Sequence, residues 1–233
     1  MNNLVTKDFP ADFRHVRNWV FDLDNTLYAA ESGVLTQIEA RMGLFIADHF
    51  KIDKEAAHGI RQKLYREHGT TLSGLMALHG VDPERFLDFV HDIKLDMLAH
   101  DAELVSALTR LPGRRFVFTN SCYRHAGRIL EKVGIAHLFD AVWDIRTIGF
   151  VPKPDPAAYA RVIAQARIAP EEAAMFDDLP ANLAAAHALG MTTVWLDSAS
   201  RWPKTGPASK VPQQNHIDHA ITDLARFLNA IRI

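Results

Sequence analysis

Cysteine is nearly absent: Cys122 is the single thiol in 233 residues. A lone thiol cannot close an intramolecular disulfide, and a reducing, cytoplasmic compartment is expected. Long apolar runs are also missing. None approaches the roughly 20 residues that a membrane-spanning helix needs, so no membrane partner is expected. The first 18 residues mix charge with Pro10 and have no apolar stretch, so no secretory signal is expected there. Neither sign of charge dominates, with 26 Lys and Arg against 28 Asp and Glu. Both signs are dispersed, which leaves no basic stripe for nucleic acid or for an anionic membrane. Twelve histidines are present, but there is no H-E-x-x-H, and His216 and His219 lack further ligands for zinc. Cys122 follows a polar strand end, yet no histidine is paired with it in the sequence, so no nucleophilic thiol is expected.

What is present is a hydrophobic fraction of 48% arranged in alternating short segments. Trp19-Val20-Phe21 reads as the end of a buried strand over about 18–22, and it runs straight into Asp22-Leu23-Asp24-Asn25-Thr26. Residues 30–100 then read as all-helical. Asp53 is a plausible N-cap, Gly69 and Gly80 are stops, and Asp82-Pro83 is an N-cap followed by proline at the first helical position. Strand and helix alternate from about residue 102. Strands are expected at 115–119, 141–144, 173–176, 192–196 and 217–220, with helices between them and a last amphipathic helix over 222–231. The Pro-, Lys- and Ser-rich stretch 198–215 reads as a surface loop. This alternation predicts an α/β protein with a Rossmann-like parallel sheet. Residues 1–28 and 101–233 would form its core, and 29–100 an all-helical cap inserted after the first strand.

Several expected strand ends carry polar groups: Asp22 with Asp24, Thr119 with Asn120, and Asp177 with Asp178. Lys153 lies on a loop between them. Each piece alone could be a turn or a helix cap. Together, in a parallel sheet, they line one edge, where open α/β folds bind ligands. Four carboxylates in one crevice need a compensating cation, and an all-oxygen donor set suits a hard ion such as Mg²⁺. A cation, an ammonium group, a hydroxyl and helix N-termini are the parts that hold a phosphoryl group. One carboxylate can attack phosphorus, and another can move protons.

Taken in order, Phe21-Asp22-Leu23-Asp24-Asn25-Thr26-Leu27, Thr119-Asn120, Lys153 and Asp177-Asp178 resemble the four motifs of the haloacid dehalogenase-like hydrolase superfamily. The resemblance spans residues 17 to about 197. It implies that Asp22 is the nucleophile and a metal ligand. It implies that Asp24 is the general acid and base, with its backbone carbonyl also on the metal, and that Thr119, Asn120 and Lys153 hold the phosphoryl group. Dehalogenases proper lack an acid at the position of Asp24, and phosphatases keep it. Aligning Asn182 to the end of the acidic motif makes Asp178 the direct metal ligand, with Asp177 supporting it or taking its place. Leu64-Tyr65-Arg66-Glu67-His68-Gly69-Thr70-Thr71-Leu72, then Gly74-Leu75 and His79-Gly80-Val81-Asp82, look like the cap of the pyrimidine 5′-nucleotidase branch, as does Phe176 to Leu183 of the core.

That second resemblance implies a nucleoside 5′-monophosphate as substrate. Arg66, Thr71 and His79 are candidates to touch it from the cap; the alternative is that they cap helices or pair on the surface. The expected activity is Mg²⁺-dependent phosphomonoester hydrolysis. A phosphatase of other small metabolites, a phosphomutase on the same core and a non-catalytic phospholigand-binding module are the alternatives. Product analysis with a sugar phosphate separates the phosphomutase. Turnover of an aryl phosphate with and without EDTA separates the binder. Nothing in the sequence points to an oligomeric state.

Overall fold

The computed structural model describes residues 11–197 and 215–233. The expected surface loop at 198–215 therefore lies, apart from Asn215, outside the described residues, as do the first ten residues. Among the described residues a six-stranded sheet is ordered β3-β2-β1-β4-β5-β6, with every neighbouring pair parallel. Its strands are β1 (Asn18–Phe21), β2 (Arg114–Phe118), β3 (Ala141–Trp143), β4 (Ala173–Asp177), β5 (Thr192–Leu196) and β6 (His219–Ile221). All four residues of β1 and all five of β4 are buried. That is the pattern of strands covered on both faces, and it is why they read as unbroken apolar runs.

The helices of the alternating half are α5 (Ala102–Thr109), α6 (Tyr123–Val133), α7 (Pro156–Ala166), α8 (Pro180–Ala188) and α9 (Leu224–Ala230). Gly134 ends α6 with φ +89°, a conformation that costs a glycine little. Between β1 and α5 lie α1 (Val34–Phe50), α2 (Lys54–His68), α3 (Thr71–His79) and α4 (Pro83–Val90). Asp53, Thr70 and Asp82 cap α2, α3 and α4 by accepting from the backbone N–H groups of Ala56, Ser73 and Glu84. Helix α4 ends near Val90 rather than about Ile93. Arg128 reaches over from α6 and donates to the carbonyls of His91 (3.0 Å) and Ile93 (2.7 Å), which supplies their partners outside a helix.

The strand order puts β1 at the centre. The chain passes outward through β2 and β3, then returns across β1 to β4. That reversal leaves a crevice beyond the carboxyl ends of β1, β2 and β4, where ligands bind in open α/β sheets. Register fixes what meets there. Phe21 lies level with Val117 and Phe176, so Asp22 follows directly beside Asp177, and its N–H donates to the Phe176 carbonyl at 2.8 Å. Beneath the crevice, Phe21 stacks on Phe176 with ring centroids 4.7 Å apart, and Trp19 anchors the strand by donating from Nε1 to the Pro112 carbonyl at 2.7 Å. Among the described residues no helix is long and apolar enough to cross a membrane.

Candidate active site

Lys153 is the centre of the charged cluster. It is buried, and its Nζ donates to Asp22 Oδ1 and to Asp177 Oδ2, both at 2.8 Å. The backbone around it is clamped by Asn120. The Asn120 Oδ1 accepts from the Lys153 N–H (2.8 Å), and its Nδ2 donates to the Lys153 carbonyl (3.1 Å). Burial alone would lower the Lys153 pKa, but the two carboxylates outweigh it and hold the ammonium charged. Asp22 is pushed up to about 7. Burial is the largest cause, opposed by Lys153 and reinforced by the charges of Asp177 and Asp24. Thr26 donates to its other oxygen, Oδ2, at 3.3 Å.

Asp177 is fully engaged. Besides Lys153, it accepts from the Leu179 N–H (2.9 Å) and from Asn182 Nδ2 (2.9 and 3.0 Å). Asp178 accepts only one long side-chain bond among those described, from Asn25 Nδ2 at 3.3 Å. Burial, and then repulsion by Asp22 and Asp177, lift its carboxyl well above the usual range. Asn25 has φ +60°, a left-handed turn that asparagine tolerates better than most residues. Asp22, Asp177 and Asp178 each offer a carboxylate oxygen within 4.8 Å of the others. Three buried carboxylates answered by one ammonium form an all-oxygen, negatively charged donor set, which fits a hard divalent cation.

Asp24 stands apart from that cluster in a network of its own. Its Oδ1 accepts from the Tyr28 hydroxyl (2.5 Å) and lies 3.3 Å from His125 Nε2, while Oδ2 accepts from the Ser121 hydroxyl (2.6 Å). Burial favours its protonated form. The bond and attraction from His125, with the bonds from Ser121 and Tyr28, prevail and leave the carboxyl well below the usual range. His125 is buried, stacks on His91 at 4.4 Å, and its Nδ1 has no hydrogen-bond partner among the described residues.

A cavity of about 190 Å³ opens over both groups and is bounded on its other side by α1, α2, α3 and α4. Asp22, Asp24, Thr119, Asn120, Lys153 and Asp178 all line it. Thr119 is buried, and its Oγ1 accepts from the Ser121 N–H at 2.9 Å. Of the three cap candidates, Thr71 reaches the cavity and the other two do not. Arg66 is exposed, because it follows cavity-lining Tyr65 by one residue and so points about 100° away around the helix. His79 is exposed at the far end of α3, about 12 Å along the axis from Thr71, and packs edge-on against Phe50.

Several site groups escaped the sequence reading. Tyr28, Ser121 and His125 bind Asp24; the i,i+4 spacing of Asp24 and Tyr28 was a local signal for the first. Cys122 does have a histidine partner, contrary to expectation, since its Sγ lies 3.3 Å from His91 Nδ1. The two are 31 residues apart, so no sequence spacing could show it. The thiol is buried outside the cavity lining, and His91 is pushed down to about 3 by burial and by His125, so it is a neutral neighbour rather than an activating base.

A family model for haloacid dehalogenase-like hydrolases matches residues 16–190. Phosphate metabolism protein 8 of Saccharomyces cerevisiae is 30% identical over 188 residues, covering 73% of this chain and 58% of that protein. The chain thus spans little more than half of that relative's length. Among solved structures, the L-2-haloacid dehalogenase of Xanthobacter autotrophicus superposes with a TM-score of 0.55 at 18% identity, over 92% of this chain and 97% of that one. A HAD phosphatase from Thermococcus onnurineus does so with a TM-score of 0.54 at 20% identity, over 88% and 93%. Identities this low show a shared fold and leave the reaction to the site itself.

Proposed function

The chain belongs to the haloacid dehalogenase-like hydrolases, and on that footing we propose that it is a magnesium-dependent phosphomonoester hydrolase acting on nucleoside 5′-monophosphates. The observation that carries this reading is Asp24. A haloacid dehalogenase has no leaving oxygen to protonate, whereas a phosphatase needs a proton-moving group beside the nucleophile. Asp24 lines the same cavity as Asp22 and sits in a built network of three donors.

In the proposed cycle an Asp22 carboxylate oxygen attacks the substrate phosphorus. The P–O bond to the leaving group breaks, and Asp24 takes up the proton that the monoanionic phosphate ester carries in and delivers it to the departing alkoxide. Asp24 then takes a proton from water as that water attacks the aspartyl-phosphate, which returns Asp22 and releases inorganic phosphate. Lys153 and the Thr119 hydroxyl hold the phosphoryl oxygens, and Asn120 keeps Lys153 in place through its backbone. Asp22, Asp178 and the Asp24 backbone carbonyl would hold Mg²⁺, with Asp177 supporting through Lys153. The ion would neutralise charge on the phosphoryl group. Residues 29–100 would act as the cap that excludes bulk water.

The reading is tested with the purified protein and p-nitrophenyl phosphate. Turnover should require Mg²⁺, stop with EDTA, and fall by at least about a thousandfold in Asp22→Asn. Wild-type turnover in that variant would refute the mechanism. A panel of nucleoside 5′-monophosphates and sugar phosphates then tests the substrate.

A further inference from the structure

The helices α1 to α4 all contribute to the cavity lining, and two of them, α1 and α4, share a common character. On α1, Leu35, Ile38 and Met42 follow one another at i, i+3 and i+7. On α4, Phe86, Leu87 and Val90 do so at i, i+1 and i+4. These spacings place each set on one helix face. An apolar helix face ordinarily packs into a core, and most of these residues are buried. Leu35 and Met42 are the exceptions, each only half-buried while lining the cavity. The core side adds Ile145.

No lysine or arginine of α1 to α4 lines this wall. The nearby cations are committed elsewhere. Arg41 donates to the Phe89 carbonyl and to Asp92, and Arg146 pairs with Glu84. His91 lines the wall as a neutral ring. Among the described residues Lys153 is the one lysine or arginine in the lining, and two carboxylates already hold it. The polar side chains that share this lining on α2 and at the start of α3, Tyr65, Thr70 and Thr71, are uncharged, so an anionic group on the leaving portion of a substrate would be desolvated with no opposing charge.

We infer that α1 and α4 select phosphate monoesters whose leaving alcohol is uncharged and presents a flat or apolar face. Esters carrying a second phosphate or a carboxylate are excluded. The inference rests on the phosphatase reading and names the substrate class of that site. The cavity, about 190 Å³, has room for one small leaving group; pockets that bury drug-sized ligands run to about 300–1,000 Å³. Apolar walls discriminate weakly among uncharged groups, by about a hundredfold. The enzyme should thus accept several nucleosides and simple aryl alcohols.

The test compares kcat/KM for UMP and phenyl phosphate with that for 3-phosphoglycerate and O-phosphoserine. The uncharged pair should exceed the charged pair by at least about a hundredfold. Met42→Lys, which puts a cation on the wall, should raise kcat/KM for 3-phosphoglycerate at least about tenfold and lower it for UMP. Leu35→Lys supplies a second position should the first variant misfold, and Met42→Leu should leave the preference unchanged. Calorimetric binding of UMP and 3-phosphoglycerate to Asp22→Asn, with Mg²⁺ present, reads the same preference without turnover. Equal kcat/KM or equal affinity for charged and uncharged partners overturns the inference. Selective binding without turnover in the wild type would overturn the phosphatase reading alone.

Discussion

The buried carboxylate cluster around Asp22 makes a prediction about stability that runs against intuition: without a divalent cation, Asp22→Asn should lose less stability with rising pH than the wild type. Asp22 is carried from the ordinary 3.8 to about 7, chiefly by burial. Its folded-state pKa lies above its unfolded one, so the protonated form favours the fold. That contribution is present below about 3.8 and is lost as pH rises through about 7. Above pH 7 the ionised group costs the fold about 4 kcal/mol relative to the protonated one. About 3 kcal/mol of this returns between pH 8 and pH 5. His91 works in the opposite direction, because its pKa falls from 6.5 to about 3 and its contribution is lost as pH falls below 6.5. The wild-type slope alone is therefore a poor readout, and the difference between wild type and Asp22→Asn is the proper one. Removing the carboxylate also costs a bond to Lys153, but that offset is constant here because Lys153 stays charged through the whole window. The assay is urea unfolding in EDTA at pH 5, 6, 7 and 8. The wild type should lose about 3 kcal/mol against the variant from pH 5 to pH 8, a change on the order of 10 °C in Tm. Added Mg²⁺ should remove most of that loss at pH 8 and little at pH 5. A difference that stays flat across the series would show that Asp22 is not held in a charge-starved, cation-seeking site.

Two further changes probe the surroundings. Ser121→Ala and Tyr28→Phe each remove a bond to the ionised Asp24; such bonds contribute about 1.5–3 kcal/mol. The Asp24 carboxyl should rise by about one to two pH units per variant, so the limb of the kcat profile on which proton delivery by Asp24 is lost moves up in pH while KM for an aryl phosphate changes little. An unmoved limb in both variants would separate Asp24 from that limb. Gly113→Ala should destabilise by more than about 2 kcal/mol in urea unfolding, because φ is +81° and the added carbon would lie 2.2 Å from the Arg17 carbonyl oxygen; an unchanged midpoint would refute this.

The difference between what the sequence displayed and what it concealed follows from distance along the chain. The strands of the core were visible because burial on both faces forces unbroken apolar runs, as at Trp19 to Phe21 and Ala173 to Phe176. The helix ends were visible because caps act within four residues, as Asp53, Gly69, Gly80 and Asp82 do. Asp22, Thr119 and Asp178 could be named because each sits just beyond a strand end, and a parallel sheet carries such ends to one edge whatever the loops do; Lys153 lies on the loop after β3, where Asn120 holds its backbone. The surroundings of Asp24 were concealed for the opposite reason. Ser121 and His125 approach it across 97 and 101 residues, and nothing local in twelve histidines distinguishes the one that arrives. Arg66 and His79 fall outside the cavity lining for a third reason: a helix directs its side chains by angle, whatever their chemistry. Tyr65, one step before Arg66, had the right angle, and the apolar residues of α1 and α4 had both the angle and the position. In sequence they cannot be told from packing residues, because a helix face that lines a cavity has the same periodicity as one that fills a core. Only the half-burial of Leu35 and Met42 separates the two cases, and half-burial is a property of the assembled fold. The residues that bound such a cavity therefore look ordinary in sequence, and the charged residues that stand out, Asp22, Asp24 and Lys153, say little about which molecule would fill it.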